Sequence, residues 1–330
     1  MSGLSWQTGR VVFLMGATGT GKSRLAVRLS QRLPTEIISV DSTLVYRGAK
    51  IGAASPSAST LREVQHHLIG VRNLKDGYSV AQFQADASRK IVEIQSRGKI
   101  PVLVGGTGMY FRALENGLHN LPDRNEAIRH DLSVIMDKFG VSRLHDMLAA
   151  IDPESARRIN KNDSHRLMRA IEVYKASGKT MTDLFARAKK ATGIFPIKFV
   201  LSSRSKEELV SAVTERFDDM LERGLVNEVC ALLKAVSSVE DNQLLKSVGY
   251  KQVRDYLLGE TNYLEMRRRS IVATCQLAKR QRTWFRKEVG AVWCDSESVG
   301  SDLTTMVDLI CSDMRDIASA QLVQWPDSLN

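Results

Sequence analysis

The chain has 330 residues, 43% of them hydrophobic and 25% charged, which is enough for one large α/β domain with an insertion or for two domains. The net charge of +10 is uneven, because residues 291–330 carry one basic and seven acidic residues while residues 1–290 carry a net +16. A body this basic favours an anionic partner, nucleic acid above all, although charge that serves solubility alone is the alternative.

The cysteines and the apolar segments argue against several other classes of protein. Cys230, Cys275, Cys294 and Cys311 lack the spacing of a metal site or of a disulfide framework, which favours free thiols in a reducing compartment. No apolar run is long enough to cross a membrane, and the start of the chain lacks the pattern of a secretion signal. We therefore expect a cytoplasmic protein.

The first predicted strand, residues 11–15, runs directly into a phosphate-binding loop. The loop matches G-x-x-x-x-G-K-[ST] at every fixed position and consists of Gly16, Ala17, Thr18, Gly19, Thr20, Gly21, Lys22 and Ser23. A predicted helix over 23–33 follows, and backbone N–H groups at its start can bind a phosphate. Lys22 adds a cation, and the hydroxyl of Ser23 is placed to ligand Mg²⁺. The pattern predicts a polyphosphate site, the alternative being a glycine-rich turn that only joins strand to helix.

A second strand is predicted over 36–40, and Asp41 stands at its carboxyl end. In open parallel sheets ligands bind outside the carboxyl ends of the strands, so we expect Asp41 near the bound phosphates. The alternative is a carboxylate that caps a helix or a turn. The irregular stretch over 42–61 that follows has the length of a functional loop.

A third strand, residues 100–104, follows a predicted helix over 78–97 and ends in a second glycine-rich turn, Gly105-Gly106-Thr107-Gly108. One such turn is weak evidence of a site. Paired with the first turn at the same edge of the sheet, it suggests two loops that grip one ligand. Thr107 can then donate a hydroxyl and a backbone N–H to a phosphate.

The alternation of strand and helix stops between residues 123 and 192. Caps and breakers there predict five short helices, over 124–139, 141–150, 153–159, 163–176 and 180–188. The core then resumes with elements over 197–201, 205–223, 225–236 and 291–294. We therefore predict an α/β fold of the P-loop NTPase-like type, an open parallel sheet flanked by helices. Residues 1–122 and 193–330 form this core domain, and residues 123–192 form an all-α insertion domain.

A long basic helix is predicted over 263–288, before the last strand. Its basic residues fall on two adjacent stripes, Lys279, Arg282 and Arg286 on the first and Arg280, Trp284 and Lys287 on the second. An aromatic residue among the bases favours contact with a nucleic acid, and the alternative is a solvated charged face.

Taken together, these segments resemble the tRNA dimethylallyltransferase family. The motifs run in order from about residue 11 to residue 295, and their joint spacing makes the match specific. They are Gly16–Ser23, Ile38–Ser42 with Val45-Tyr46, His67-Leu68, Val104–Tyr110, Asn162-Asp163 with Arg166 and Arg169–Val173, Val248–Tyr250, and Gln276–Gln281 with Trp284.

The resemblance implies transfer of a dimethylallyl group from dimethylallyl diphosphate to N6 of the adenine just 3′ of a tRNA anticodon, with Mg²⁺ as cofactor. It also implies that Asp41 is the base at the acceptor amine, that Thr107 meets the diphosphate and that Arg129 lies beside the reacting centre. We expect a monomer that binds the anticodon stem-loop. The implied tRNA contacts are Asp41, Ser42, Thr43, Leu44, His165, Arg166, Leu167, Met168, Arg169, Lys246, Ser247, Val248, Gly249, Tyr250, Lys251, Lys279, Arg280, Gln281, Arg282, Thr283, Trp284, Phe285 and Arg286.

The chain departs from the family pattern in the loop before Val248, where a proline is often present and residues 241–247 contain none. It also lacks the zinc finger of eukaryotic relatives, which favours a bacterial-type enzyme. Three other functions stay open: a P-loop kinase or nucleotidase, a relative that prenylates free AMP or ATP, and a non-enzymatic RNA-binding module. The reaction products distinguish a kinase from a prenyltransferase, because a kinase yields ADP and a phosphorylated acceptor, whereas a prenyltransferase yields pyrophosphate and a prenylated acceptor.

Overall fold

The computed structural model describes residues 11–186, 192–201, 205–236 and 242–294. They fall into two compact units, one formed by residues up to Glu115 and from Ile194 onward, the other by Asn116–Gly193. The predicted insertion, residues 123–192, lies inside the second unit. Outside the described residues lie positions 187–188 of the last insertion helix, position 241 of the loop without a proline, and residues 295–330 of the acidic segment, which include Cys311.

The larger unit is built on a six-stranded sheet in which every pair of neighbouring strands is parallel. In spatial order the strands are β3 (His66–His67), β2 (Thr35–Val40), β4 (Ile100–Gly105), β1 (Val11–Gly16), β5 (Pro196–Leu201) and β6 (Ala291–Cys294). The predicted α/β fold with an open parallel sheet is confirmed. Strand β3 escapes prediction because two residues are too few to show a strand period.

The helices of both units are, in chain order, α1 (Lys22–Arg32), α2 (Ala58–Glu63), α3 (Val80–Ser96), α4 (Gly108–Asn116), α5 (Glu126–Phe139), α6 (Val141–Ile151), α7 (Pro153–Arg158), α8 (Ser164–Ser177), α9 (Met181–Ala186), α10 (Lys206–Glu222), α11 (Leu225–Ala235), α12 (Tyr250–Leu257) and α13 (Tyr263–Phe285). The basic helix α13 ends at Phe285, short of the predicted residue 288. In the part of the chain that the structure describes, no helix combines the length and the apolar character needed to cross a membrane.

The two middle strands, β1 and β4, carry no polar side chain because helices cover both faces of the sheet. Val12 and Leu14 of β1 pack with the buried side of α1. Phe13 and Met15, which alternate with them, pack on the other face with α3, α4 and α10–α13. The ring of Phe13 lies 5.0 Å from that of Phe111 on α4, measured between centroids.

The second unit is helical and has its own core. Side chains from α5, α6 and α8 that are completely buried form its centre: Leu132, Leu144, Leu148, Leu167 and Ile171. Asn125, Asp152 and Asp163 each accept a backbone N–H at the start of α5, α7 and α8, respectively. These caps explain why the breakers in the sequence mark the helix starts correctly.

Candidate active site

Three loops meet at the carboxyl edge of the sheet because the strands before them are neighbours. Gly105 of β4 pairs with Met15 of β1 on one side and with Val40 of β2 on the other. The loops that leave the sheet there are residues 16–23, residues 41–44 and Gly106–Thr107. Together with α10 and α13 they line a cavity of about 530 Å³.

Lys22 is held in this cavity by the phosphate-binding loop itself. Gly21 has a φ of 83°, a left-handed conformation that favours glycine, and α1 begins at the next residue. The Lys22 ammonium donates a hydrogen bond of 3.0 Å to the carbonyl oxygen of Ala17. Burial lowers the pKa of Lys22 to about 8, although the Asp41 carboxylate opposes the shift. An anionic ligand in the cavity would therefore favour the protonated ammonium.

A second cation, Arg216 on α10, enters the same cavity. Its guanidinium donates a hydrogen bond of 3.1 Å to the hydroxyl of Thr18. Arg216 keeps contact with solvent, but the protein around its guanidinium removes part of its hydration and lowers the pKa of Arg216 below its ordinary value, while Asp41 again opposes the shift. Arg216 was not predicted as a site residue, although the sequence carries a signal: Arg216 interrupts the buried apolar stripe that includes Val213 and Phe217.

Asp41 closes a tight turn directly after β2. Its Oδ1 accepts hydrogen bonds from the N–H of Thr43 at 2.7 Å, from the hydroxyl of Thr43 at 2.5 Å and from the N–H of Leu44 at 3.3 Å. Among the described residues, nothing donates a hydrogen bond to the second oxygen, Oδ2. The Asp41 carboxylate therefore stabilises the turn and also lines the cavity. It interacts electrostatically with Lys22 and Arg216.

Thr107 lies close to this turn because β4 and β2 are paired. Its N–H points at the carbonyl oxygen of Val40 at 3.4 Å, and its side chain lines the cavity. Its own carbonyl oxygen accepts the N–H of Tyr110 at 2.9 Å as α4 begins. Thr107 thus stands at the positive end of the α4 dipole, a position that favours anions.

Helix α13 packs one side against the turn after β4. A Cβ atom on Gly106 would lie 2.3 Å from Nε2 of Gln281, and a Cβ atom on Gly108 would lie 2.2 Å from the indole of Trp284. Glycine at these two positions is therefore required by the close approach of α13. Phe285 is buried in the core. The exposed side of the same predicted tRNA segment carries Lys279, Arg280, Thr283 and Arg286, with Arg282 half-buried.

The predicted tRNA segment 246–251 borders the cavity through its first four residues. Tyr250, in contrast, is completely buried, and its hydroxyl donates a hydrogen bond of 2.8 Å to Glu228. The Glu228 carboxylate also accepts the three backbone N–H groups of residues 50–52, at 2.7–3.2 Å. Tyr250 and Glu228 together anchor two segments of the cavity wall. Glu228 was not foreseen from the sequence.

In the helical unit, Arg129 and Arg169 share one buried carboxylate. Arg129 donates to both oxygens of Glu172 at 3.1 Å, and Arg169 donates to Oε2 at 2.9 Å. Burial would raise the pKa of Glu172, but these bonds and one of 2.7 Å from the N–H of Asn125 hold it below its ordinary value. Glu172 therefore fixes two arginines that the sequence analysis assigned to the site.

The remaining predicted contacts of the helical unit lie on α8. His165 and Arg166 are exposed, Met168 is half-buried, and Leu167 is part of the unit's core. In the larger unit, the structure places part of the phosphate-binding loop, residues 41–44, Thr107, residues 246–249 and Gln281 around one cavity, whereas the other predicted residues of α13 do not line it. The roles assigned to these residues, to Arg129 and to residues 165–169 all stay predictions.

Comparison with known proteins identifies the family. The IPP transferase family profile matches residues 44–288. The tRNA dimethylallyltransferase of Alkalilimnicola ehrlichii is 46% identical to the chain over 299 residues, which cover 90% of this chain and 94% of that protein. The chain belongs to the tRNA dimethylallyltransferase family. The resemblance carried by the sequence motifs is thereby confirmed, and this family member is an enzyme that transfers a prenyl group.

Solved structures of tRNA dimethylallyltransferases share the fold. The full-length tRNA isopentenylpyrophosphate transferase of Bacillus halodurans is 33% identical, with a TM-score of 0.68 and coverage of 94% of this chain and 99% of that one. A eukaryotic dimethylallyltransferase acting on tRNA is 26% identical, with a TM-score of 0.71 and coverage of 87% and 74%, respectively.

Proposed function

We propose that this dimethylallyltransferase moves the dimethylallyl group of dimethylallyl diphosphate to N6 of the adenine 3′ to the anticodon, position 37 of tRNA. The observation that carries the proposal is the cavity at the sheet edge, where a phosphate-binding loop, two cations and one carboxylate meet. A phosphate-binding loop alone would equally suit a kinase. The carboxylate with an unengaged oxygen and the family membership favour prenyl transfer.

The diphosphate binds between the phosphate-binding loop and Thr107. Backbone N–H groups at the start of α1 and the Lys22 ammonium surround one phosphate. Arg216 and Thr107 supply further donors from two other sides of the cavity. Because these groups are held in place before the substrate arrives, they stabilise the charge of the leaving diphosphate without reorganising.

During transfer, the C1–O bond of the allylic diphosphate breaks and the diphosphate leaves with the electron pair. The new bond forms between C1 and N6 of adenine. The exocyclic amine is a weak nucleophile, so a base that takes its proton as the bond forms accelerates the step. Oδ2 of Asp41 is placed to accept that proton, since Oδ1 is committed to its turn.

Mg²⁺ fits the donors at the start of α1. This ion usually keeps several waters and is held by one or two protein oxygens together with substrate phosphates. The exposed hydroxyl of Ser23 supplies one such oxygen, and Asp41 can act through a water. The ion would add neutralisation of the departing diphosphate.

The acceptor is a tRNA because the larger unit presents, outside the cavity as well as at its wall, exposed cations that one free nucleotide would not occupy. Lys246 and Lys251 flank the wall segment, and Lys279, Arg280 and Arg286 line the outer side of α13. The target adenine must leave the anticodon-loop stack to enter the cavity. A tRNA substrate would place the reaction in the cytoplasm, and a single chain suffices for the proposed site.

The direct test is to incubate the protein with labelled dimethylallyl diphosphate, Mg²⁺ and total tRNA, digest the RNA and look for N6-prenyladenosine. Free AMP and ATP serve as competing acceptors in parallel reactions. Label in tRNA only, with one diphosphate released per prenyl group, is the expected result. Transfer to AMP instead of tRNA, or release of ADP when ATP is supplied, would overturn the proposal in favour of the alternatives.

A further inference from the structure

One side chain joins the two loops that we propose to hold the diphosphate. The amide oxygen of Gln281 on α13 accepts the N–H of Thr18 at 2.9 Å. The amide nitrogen of the same side chain donates to the carbonyl oxygen of Gly106 at 3.0 Å. A single residue of α13 therefore connects the phosphate-binding loop after β1 with the glycine-rich turn after β4.

The chemistry of the two partners fixes the orientation of the amide. The N–H of Thr18 is a donor and needs an acceptor, while the carbonyl of Gly106 is an acceptor and needs a donor. Only a neutral amide of this length satisfies both with one side chain. A carboxylate would accept from Thr18 but repel the Gly106 carbonyl, and an aliphatic side chain would leave both backbone groups without this partner.

The packing around Gln281 makes the connection tight. Its Nε2 occupies the space that a Cβ atom on Gly106 would need, 2.3 Å away, and its side chain lines the cavity wall. Thr18 is held from two sides: its hydroxyl accepts a hydrogen bond from Arg216, and its backbone N–H donates one to Gln281. The exposed residues of α13, such as Arg280, lie on another side of the helix.

We propose that Gln281 is a positioning residue for the diphosphate: it sets the distance between the phosphate-binding loop and the Thr107 turn. This inference rests on the proposed function and deepens it. The family resemblance places Gln281 in the tRNA interface, but both ends of its amide are engaged inside the protein. Diphosphate affinity therefore depends on this side chain, and tRNA affinity does not.

The experiment compares the wild-type protein with Gln281→Met, which keeps the length and loses both bonds, and Gln281→Glu, which keeps the acceptor for Thr18 and replaces the donor to Gly106 by a second acceptor. Binding of the unreactive thiolo analogue of dimethylallyl diphosphate is measured by calorimetry, and binding of an anticodon stem-loop RNA by fluorescence anisotropy. Loss of two hydrogen bonds predicts analogue affinity lower by about 10- to 30-fold in Gln281→Met. The KM for dimethylallyl diphosphate rises likewise, while kcat at saturation and RNA affinity stay close to wild type.

Gln276→Glu is the matched control, because Gln276 lies exposed on the same helix and the substitution adds the same charge. It should leave analogue binding unchanged. Gly106→Ala supplies a second approach, since the added methyl group displaces the Gln281 amide and should reproduce the higher KM. Should one Gln281 variant fail to fold, the other Gln281 variant and Gly106→Ala still test the proposal.

Two results overturn the inference. Wild-type analogue affinity in Gln281→Met, with wild-type prenyl transfer intact, would show that the two loops need no connection. Weaker RNA binding with unchanged analogue binding would make Gln281 an RNA contact. If the wild-type protein prenylates no tRNA, the result contradicts the proposed function and not the inference about Gln281. Binding of the analogue then still tests the role of Gln281 by itself.

Discussion

Arg129 donates two hydrogen bonds to Glu172, one to each carboxylate oxygen and both 3.1 Å long. The Glu172 side chain is completely buried. Arg169 joins the same carboxylate. Removing one partner of a buried ion pair leaves the other without compensation, so the pair is costly to break. The two arginines keep about a quarter of their side-chain surface exposed, 23% and 26%, and so remain available to a substrate.

Glu172→Gln should therefore destabilise the protein by about 2–4 kcal/mol, because the amide keeps the shape but loses the charge that binds two arginines. Urea denaturation measures the loss. Prenyl transfer should fall as well, since Arg129 is no longer fixed. The control is Glu126→Gln, in an exposed ion pair of the same unit, which should leave the unfolding midpoint almost unchanged. Equal losses in both variants would contradict the assignment.

Lys22 should give the proposed binding of the diphosphate a pH dependence. Its pKa in the free protein is about 8, so the ammonium becomes neutral as the pH rises above that value. The phosphates are already fully ionised there, since their second ionisation lies near pH 6. Affinity for the thiolo analogue should therefore fall between pH 8 and pH 9.5.

Calorimetry on wild-type protein and Lys22→Arg checks this expectation. The guanidinium stays charged throughout the range, so the variant should show a flat profile. A parallel fall in both proteins would assign the effect to another group. Lys22→Ala should weaken analogue binding at every pH and leave tRNA affinity largely intact.

Asp41→Asn should slow the chemical step by about 10²–10⁴-fold, the usual range for loss of a general base, with both substrates still bound. Single-turnover rates measured across a Mg²⁺ series provide the test. Asparagine keeps the size and a hydrogen-bond acceptor, so the turn with Thr43 should persist. Near-wild-type rates at high Mg²⁺ would make Asp41 a metal-site residue instead of the base.

The outer side of α13 should govern the salt dependence of tRNA binding. Replacing Arg282 and Arg286 together by Gln should reduce the slope of log K against log salt by about 1–2 units. The control, Arg62→Gln with Arg89→Gln, removes the same charge from exposed positions on α2 and α3. An unchanged slope in the α13 variant would remove this helix from the interface. Binding of the small analogue should hardly change in either variant.

Glu36 contributes stability that depends on pH. It is buried at the start of β2, and hydrogen bonds from Arg97, His67 and Lys99 outweigh the effect of burial and lower its pKa to about 2. A carboxylate with a depressed pKa stabilises the fold above its unfolded value and loses this contribution as the pH falls through its folded value. The contribution of Glu36, about 2–3 kcal/mol, should thus disappear between about pH 4.5 and pH 2.

Glu36→Gln should lower the free energy of unfolding at pH 7, and the difference from wild type should shrink over that window. Urea denaturation at several pH values measures it. Glu260→Gln, at an exposed position, serves as the control and should follow wild type. A difference between Glu36→Gln and wild type that stays constant down to pH 2 would disprove the linkage.

The sequence predicted the site residues that lie in the loops at the carboxyl ends of the parallel strands. Lys22, Asp41 and Thr107 each follow a buried apolar run, and the carboxyl ends of neighbouring parallel strands share one edge. Arg216 was not recognised, and Gln281 was assigned to the tRNA interface instead of to the loops it connects, because both residues lie on helices. Helical spacing tells which side of a helix is apolar, but not which loop a polar residue on that side will meet. Their partners lie 175 or more residues earlier in the chain, beyond any local pattern.

The same separation bears on how the protein is made. Thr18 and Gln281 are 263 residues apart in sequence, and β1 completes its pairing only when β5 has joined it. During translation, a nascent chain therefore contains the complete phosphate-binding motif long before it contains α10 and α13, which add Arg216 and Gln281 to the cavity. We therefore expect the proposed diphosphate binding to arise late in synthesis, and a fragment that stops before α10 to carry the motif without the complete cavity.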